Sequence, residues 1–317
     1  MNFAELPLVA SPIALVDQDV VNEAIQKCMA DKNLDNPRLI RESMNAVYLV
    51  QSSDGPQVMR VSRPTSSTMA AIEFAHYLAR NGFEVPAPLS HAPFRHDEIE
   101  ITFWEFINHD PHHDVDWRHI GSVARRLHDL DPQIVATFYP LPMATSFPWW
   151  DFDRLLAELG SSLDSSDLDV LKSRWHRLQP FFISAQNVYS SPISGQMALC
   201  HGDIHPGNVI VNRLTGRPIL IDWDLLSVAP REWDHAALLT WTQRWGGHAT
   251  IYPEFATGYG TNYSGNELAE ALAEMRLLSA TLMRWRAGLT SPDAKIEAEN
   301  RMRYWRQDPT APMWRAV

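Results

Sequence analysis

The sequence predicts an α+β protein of two lobes, a small antiparallel sheet lobe followed by a larger, mostly helical lobe. Short β-prone runs separated by Gly-, Pro- and Ser-containing turns fill the first third of the chain, whereas apolar residues at helical spacing dominate the rest. A connector rich in His and Asp, residues 109–116, lies between the two regions. We therefore assign residues 1–107 to the N-terminal lobe and residues 108–317 to the C-terminal lobe, with a hinge near residue 107.

The predicted N-terminal lobe begins with a helix over residues 17–30, where apolar side chains recur at helical spacing. Five strands and a second helix, which Gly82 ends, follow in the order strand, strand, strand, helix, strand, strand. Their predicted ranges are 38–42, 47–51, 57–62, 66–81 (the helix), 85–91 and 100–107. Because the turn at residues 52–56 is short, antiparallel pairing is the simplest arrangement.

The predicted C-terminal lobe consists of helices that one β-hairpin interrupts. The hairpin joins runs 209–212 and 218–221 through the turn Leu-Thr-Gly-Arg. The helices are predicted at residues 117–130, 149–160, 168–189, 233–245 and 266–305. The predicted C-terminal lobe is therefore helical except for the hairpin and the segment that precedes it.

The composition bounds the class of protein. The 317 residues are 45% apolar and 21% charged, as in an ordinary globular enzyme, and the formal net charge is −11. This charge argues against nucleic acid and anionic membranes as partners and is compatible with a cationic or neutral small substrate. The two cysteines have no metal-binding or redox spacing, and no signal peptide or apolar run of membrane-spanning length is apparent, so we expect a cytoplasmic protein.

The most informative stretch is residues 199–224, LCHGDIHPGNVIVNRLTGRPILIDWD. Phosphoryl transfer from ATP needs a carboxylate that accepts or orients the hydroxyl proton, and oxygen ligands for magnesium beside the phosphates. Asp203 lies in a loop before the hairpin, Asn208 follows five residues later, and Asp222 comes at the end of the second strand. Amide and carboxylate oxygens are ligands that Mg²⁺ prefers. The spacing therefore predicts a base and a magnesium site in one segment.

HGDIHPGN followed by ILIDWD resembles the signature of the aminoglycoside phosphotransferase family, which also includes choline kinase-like enzymes with a protein-kinase-like fold. The resemblance covers roughly residues 35–290 and implies ATP as co-substrate with Mg²⁺. It implies that Asp203 is the catalytic base and that Asn208 and Asp222 bind the metal.

Three further residues of this stretch are expected to support the loop. His201 would brace it, and His205, between base and metal ligand, would brace it or approach the substrate. Asp224, two residues beyond Asp222, would share one side of a strand with it, and we expect it to brace the loop.

The resemblance also assigns nucleotide-binding positions in the first lobe. Arg60 stands where related kinases have a lysine, and its planar, permanently charged guanidinium would bind phosphate while Glu73 holds it in place; a surface ion pair is the alternative. The turn over the phosphates, residues 41–48, has no glycine, which leaves ATP against GTP open. The remaining predicted nucleotide contacts are Ser43 and Asn45 in this turn and Trp104, Glu105 and Phe106 in the hinge.

Three functions are compatible with these residues. The first is an active kinase of a small hydroxylated acceptor, such as an aminoglycoside, an amino sugar or an amino alcohol. The second is a nucleotide-binding pseudokinase, which Arg60 and the glycine-free turn keep open. The third, a protein kinase, is disfavoured because the chain runs from Asp222 straight toward a helix without a long activation segment.

The acceptor itself is not readable from the sequence. Asp151 and Asp153, which follow two tryptophans, would suit a cationic amine. Trp241 and Trp245, four residues apart on a predicted helix, are expected to be core residues.

Overall fold

The structure is a computed structural model that describes residues 17–42, 45–63, 68–110, 113–186 and 196–315. The chain forms two compact units, each built from three segments. The first comprises Met1–Val115, Gln133–Leu141 and Ile210–Ile221, and the second comprises Asp116–Pro132, Pro142–Val209 and Asp222–Val317. The lobe boundary near residue 107 stays a prediction.

Among the described residues, five strands and two helices make up the first third of the chain, and helices predominate after it. In chain order the elements are α1 (Gln18–Lys32), β1 (Asp35–Glu42), β2 (Ala46–Ser52), β3 (Gly55–Ser62), α2 (Thr68–Arg80), β4 (Phe94–His96), β5 (Ile99–Glu105), α3 (Trp117–His128), α4 (Pro132–Val135), α5 (Phe152–Leu159), α6 (Ser165–Gln186), β6 (Met197–Cys200), β7 (Val209–Val211), β8 (Pro218–Leu220), β9 (Ser227–Pro230), α7 (Glu232–Trp245), α8 (Ile251–Tyr259), α9 (Glu267–Ala287) and α10 (Pro292–Trp305).

The first unit contains a five-stranded antiparallel sheet in the order β1-β2-β3-β5-β4. Helix α1 begins at its N-cap Asp17, whose carboxylate accepts the Asp19 N–H, and ends at Asn33 in the left-handed conformation. The apolar side of α1 packs on the sheet, and its buried members include Ile25 and Cys28. The predicted succession of three strands, a helix and two strands is observed, although the fourth strand lies elsewhere than predicted.

One predicted strand, residues 85–91, is wrong. This segment makes only an isolated bridge from Pro88 to Trp104, together with backbone hydrogen bonds at Ala87 and Leu89. Prolines 86 and 88 have no N–H to donate to a strand partner, which explains why the segment does not form a ladder. The fourth strand is β4, which lies just beyond it and pairs with β5.

The second unit is helical around a two-stranded sheet of β6 and β9. The run predicted as one helical region, 266–305, is two helices, because Ser291 caps α10 and Pro292 occupies its first turn. Helix α8, which lies outside the predicted helices, crosses α3 at very short range. A Cβ at Gly121 of α3 would lie 2.0 Å from the Phe255 carbonyl oxygen, and one at Gly258 of α8 would lie 1.8 Å from that of Arg118.

The β7–β8 hairpin belongs to the first unit except for Val209. The backbone of the hairpin is hydrogen-bonded to the segment that follows β5. In this contact the Arg213 N–H donates to the Asn108 carbonyl at 2.8 Å. Within the described ranges, none of the helices combines the length and apolar composition needed to cross a bilayer.

Candidate active site

The segment 201–208 leaves the buried strand β6, which pairs with β9 from Met197↔Pro230 to Cys200↔Ser227. Gly202 has φ +89°, and a Cβ there would lie 2.3 Å from the Leu225 carbonyl oxygen. Only glycine combines this backbone conformation with so close an approach. The loop therefore turns sharply as it leaves the sheet and presents Asp203 at its surface.

The loop backbone is held by the buried carboxylate of Asp234, from the first turn of α7. Asp234 accepts the N–H groups of His201 and Gly202, each at 2.8 Å, and the Nε2–H of His128 at 2.9 Å. Burial would raise the pKa of Asp234, but the hydrogen bond and charge of His128 hold it below its ordinary value. A buried, ionised carboxylate thus fixes the first two peptides of the loop.

The Cys200 thiol lies near this network, within 4.8 Å of ligand atoms of His128 and Asp234. Burial raises the pKa of this thiol well above its ordinary value, and its sulfur faces backbone carbonyls at 3.7 Å. The thiol faces the Ala229 and Pro230 carbonyls, and the Asp234 carboxylate accepts three hydrogen bonds, so the polar atoms of both residues have partners within the protein.

The Asp203 carboxylate is 30% exposed and is contacted by cationic and polar groups. Its Oδ1 pairs with the Arg276 guanidinium of α9, and its Oδ2 lies 3.4 Å from His205 Nε2. Burial would raise the pKa of Asp203, but His205 and the Arg276 guanidinium beside its carboxylate hold it well below its ordinary value. Asp203 is therefore ionised at neutral pH.

Asn208, one of the two predicted metal ligands, is hydrogen-bonded to the predicted base. Its Nδ2 donates to the Asp203 backbone carbonyl at 2.9 Å and to the carboxylate Oδ2 at 3.3 Å. Its Oδ1 is buried and has no hydrogen-bond partner among the described residues. A buried amide oxygen without a donor is costly unless it binds a cation, so this atom fits a magnesium ligand.

The segment after β8 forms a short 3₁₀ turn over Trp223–Leu225, with Asp222 as its N-cap at φ 67°, ψ 67°. A left-handed backbone is uncommon for a residue other than glycine and occurs most readily for Asn and Asp. The expectation that Asp222 and Asp224 share one side of a strand is wrong. Strand β8 ends at Leu220, and the left-handed Asp222 precedes the 3₁₀ turn that contains Asp224, so the alternation of side chains along a strand does not apply to them.

The turn containing Asp222 packs against the 201–208 loop. The Trp223 ring lies 4.7 Å from the His201 ring at 60°, and Leu225 closes over Gly202. His201 is completely buried, and its Nδ1 accepts the Asp203 N–H at 3.2 Å. The structure thus brings Asp203, Asn208 and the supporting His201 together in one loop, with the Asp222 turn directly beside it.

His205 is held between the loop and α7. Its Nδ1 accepts the Gly207 N–H at 3.0 Å, so the remaining ring proton lies on Nε2, toward Asp203. Its ring stacks on Trp241 with centroids 5.0 Å apart and an interplanar angle of 5°. Trp241 in turn stacks on Trp245 at 5.1 Å. The tryptophans expected to be core residues are half-buried, and Trp241 packs against a candidate site residue.

The predicted nucleotide-binding residues lie in the first unit. Arg60 is half-buried in the central strand β3, opposite Val47 and Thr102, and Glu73 is exposed on α2. The pairing of Arg60 with Glu73 stays a prediction. Asn45 directly precedes β2, and Ser43 lies outside the described residues.

The hinge residues end strand β5. Trp104 Nε1 donates to Thr102 Oγ1 at 2.9 Å, and the Glu105 N–H donates to the Ala87 carbonyl at 2.8 Å. That N–H is therefore already bonded to the protein's own backbone. Phe106 lies beside His109, with ring centroids 6.4 Å apart. Base binding by residues 104–106 stays a prediction.

Sequence reasoning missed Arg276, which contacts Asp203 from a position 73 residues further along the chain. Its helix carries charged residues along its whole length, so no local pattern distinguishes it. Sequence reasoning also missed the loop contacts of Asp234, which lies in the first turn of α7 and accepts the His201 and Gly202 N–H groups.

A model of the phosphotransferase enzyme family matches residues 38–278. Spectinomycin phosphotransferase APH(9)-Ia, solved with ADP and spectinomycin, has a TM-score of 0.61 and 13% identity over 90% of this chain and 93% of its own. A mutant of aminoglycoside 2'-phosphotransferase IIIa in complex with GDP has a TM-score of 0.61 and 14% identity over 90% and 96%.

An ethanolamine kinase from Plasmodium vivax has a TM-score of 0.57 and 14% identity, over 93% of this chain and 86% of its own. No curated protein sequence matches the chain. The structural neighbours confirm the α+β, protein-kinase-like fold class predicted from the sequence. Since the family model spans residues 38–278 of 317, the chain belongs to the phosphotransferase enzyme family, as the HGDIHPGN and ILIDWD segments indicate.

Proposed function

We propose that the protein is a kinase that transfers the γ-phosphoryl group of ATP to a hydroxyl of a small molecule, with Mg²⁺ as the metal. Membership of the phosphotransferase enzyme family and neighbours solved with ADP and GDP support nucleotide-dependent transfer. The observation that carries the proposal is the Asn208 amide. Its nitrogen donates to Asp203, while its oxygen is buried without a hydrogen-bond partner among the described residues.

In this proposal Asp203 is the base. Its ionised carboxylate is partly exposed, so an acceptor hydroxyl can hydrogen-bond to it and be oriented for attack on the γ-phosphorus. A carboxylate with a low pKa is a weak proton acceptor, so it receives the proton late, as oxygen–phosphorus bond formation raises the acidity of the hydroxyl. Orientation is then its larger contribution.

Asn208 and Asp222 would hold the metal. Bound Mg²⁺ would neutralise charge on the β- and γ-phosphate oxygens. The Asn208 oxygen is kept in place because its nitrogen is tied to the Asp203 backbone and carboxylate, so the base and this ligand move together. Asp234 supports both indirectly by fixing the peptides that precede Asp203.

The nucleotide contacts are proposed for Arg60 and Glu73, the 41–48 turn with Ser43 and Asn45, and residues 104–106. A guanidinium on a central sheet strand is suited to binding phosphate oxygens through its planar donor fork. The preference for ATP or GTP stays open. A comparison of initial rates with Mg-ATP and Mg-GTP would decide it.

The acceptor is proposed as a hydroxylated small molecule of the kinds that the neighbours' names state: spectinomycin, an aminoglycoside or ethanolamine. These are amine-bearing compounds, and the net charge of −11 is compatible with a cationic acceptor. Asp151 and Asp153 line a cavity of about 380 Å³ in the second unit together with Trp150 and Trp175. Carboxylates beside tryptophans are suited to an ammonium group.

The deciding experiment measures ADP release from Mg-ATP across aminoglycosides, spectinomycin, amino sugars and amino alcohols, with Asp203→Asn as the blank. An acceptor-dependent signal that the variant abolishes, while it still binds Mg-ATP, would support the kinase and name the acceptor class. If wild-type protein binds Mg-ATP but turns over no acceptor, the chain is a nucleotide-binding pseudokinase or acts on a compound outside these classes.

A further inference from the structure

Arg276 lies in the middle of helix α9 and reaches the loop that carries the proposed base. One terminal nitrogen donates to the Gly202 carbonyl at 2.8 Å, and the other pairs with Oδ1 of Asp203. The side chain is 15% exposed, and its guanidinium carbon lies 6.0 Å from the centroid of the buried Trp150 ring. One guanidinium thus bridges the backbone and the side chain of adjacent loop residues.

The other carboxylate oxygen of Asp203 is held from a different direction. Oδ2 receives the Asn208 Nδ2–H at 3.3 Å and faces His205 Nε2 at 3.4 Å. His205 is itself fixed by its stack on Trp241 and by the Gly207 N–H. A carboxylate has about four acceptor positions, so contacts to Arg276, Asn208 and His205 leave about one for a substrate hydroxyl.

We propose that Arg276 is a positioning residue for the phosphotransfer reaction, which fixes the Asp203 carboxylate in the one rotamer whose remaining lone pair faces the acceptor hydroxyl. The proposal rests on Asp203 acting as the base. Helix α9 is long and lies against α7, and Ser279 also ties it to the chain by donating to the Trp149 carbonyl at 2.9 Å. The base is therefore oriented by a rigid helix as well as by its own loop.

The chemistry of arginine suits this role better than that of lysine. The guanidinium is planar and presents its donors in a fixed fork, so it can contact Gly202 O and Asp203 Oδ1 together. A lysine ammonium is a single point donor on a flexible stem, and it would keep the charge but would not fix the direction of the carboxylate. The substitution Arg276→Lys therefore tests whether the geometry of the donor matters when the positive charge is kept.

A purely structural tie between α9 and the loop is the competing explanation, and kinetics distinguishes the two. Removing a positioning group should lower kcat and leave the KM for Mg-ATP unchanged, because Arg276 is not among the proposed nucleotide contacts. A guanidinium ion supplied in solution can occupy the vacated site in Arg276→Ala and orient Asp203 again. A tie that only stabilises the fold would not be restored by a free ion.

The experiment compares Arg276→Ala, Arg276→Lys and the matched control Arg286→Ala with the acceptor that gives the strongest wild-type signal. Arg286 is on the same helix and pairs with Glu158 at 3.2 Å, away from the loop. We expect kcat of Arg276→Ala to fall by about 10- to 100-fold, the range for losing a hydrogen bond to a charged group, and Arg276→Lys to recover only part of it. Arg286→Ala should equal the wild type.

Millimolar guanidinium chloride, far below unfolding concentrations, should raise kcat of Arg276→Ala several-fold, and equal sodium chloride should not. Wild-type kcat in Arg276→Ala, or a loss that guanidinium does not reverse in a variant with the wild-type thermal midpoint, would overturn the inference. If Arg276→Ala does not fold, full activity of Arg276→Lys would overturn it. Failure of the proposed function is separate, because the wild-type chain would then show no acceptor-dependent turnover.

Discussion

The carboxylate of Asp234 should be the most sensitive single position for the geometry of the loop. It is 1% exposed, and it accepts hydrogen bonds from the His201 N–H, the Gly202 N–H and the ring of His128. Substitution Asp234→Asn preserves the shape of the side chain and leaves one oxygen in place of two. The new amide NH₂ group then faces a backbone donor that it cannot satisfy.

The expected cost follows from these contacts. Oδ2 holds two of the donors and Oδ1 holds the third, so the carboxamide oxygen can retain at most two of them, now without the negative charge. Leaving one buried donor unpaired costs about 1–3 kcal/mol, and weakening two charge-assisted bonds costs about 1 kcal/mol each. Relief from burying a charge offsets part of this sum. We expect a loss of about 3 kcal/mol in the free energy of unfolding.

The assay is urea denaturation of wild type, Asp234→Asn and the control Asp153→Asn, with linear extrapolation to water. Asp153 is exposed and accepts one hydrogen bond, from Trp175 Nε1 at 2.8 Å, so its loss should be within about 1 kcal/mol. Hydrogen exchange at the amides of His201 and Gly202 should accelerate in Asp234→Asn alone. A loss below about 1 kcal/mol with unchanged exchange at both amides would show that Asp234 does not hold the loop.

Two further predictions concern the metal and the pH dependence of stability. Asn208→Ala should raise the Mg²⁺ concentration needed for half-maximal ATP binding, because it removes the buried Oδ1, and a magnesium titration followed by nucleotide binding that matches the wild type would contradict this. His235 is completely buried, and burial lowers its pKa to about 3. Between pH 8 and pH 5 the unfolded chain gains a proton at this residue that the folded chain does not, so acidification to pH 5 should cost about 2 kcal/mol through His235. His235→Phe should lose about that much less stability over the same interval in urea denaturation, and equal losses in the two proteins would remove the assignment.

The sequence predicts best those helices and strands in which the spacing of apolar residues within the element itself indicates its type. Strands β2 and β3 and the helices α2 and α3 lie close to their predicted ranges, because alternation or helical spacing of apolar residues marks the face that each one buries. The strand predicted at residues 85–91 does not form, because its prolines have no N–H to donate to a neighbouring strand. Helix α8 lies outside the predicted helices although its buried residues recur at helical spacing, and its close crossing with α3 at Gly121 and Gly258 is visible only in the structure.

The proposed base and metal ligands can be predicted from local sequence, because residues 203–222 form one continuous segment, and the fold class follows from the order of strands and helices. What orients that segment became apparent in the tertiary structure alone. Asp234 and Arg276 reach it from α7 and α9, and Trp241 fixes His205. A local motif records which groups react, whereas the partners of a buried carboxylate depend on which distant helices the core packing brings within hydrogen-bond range.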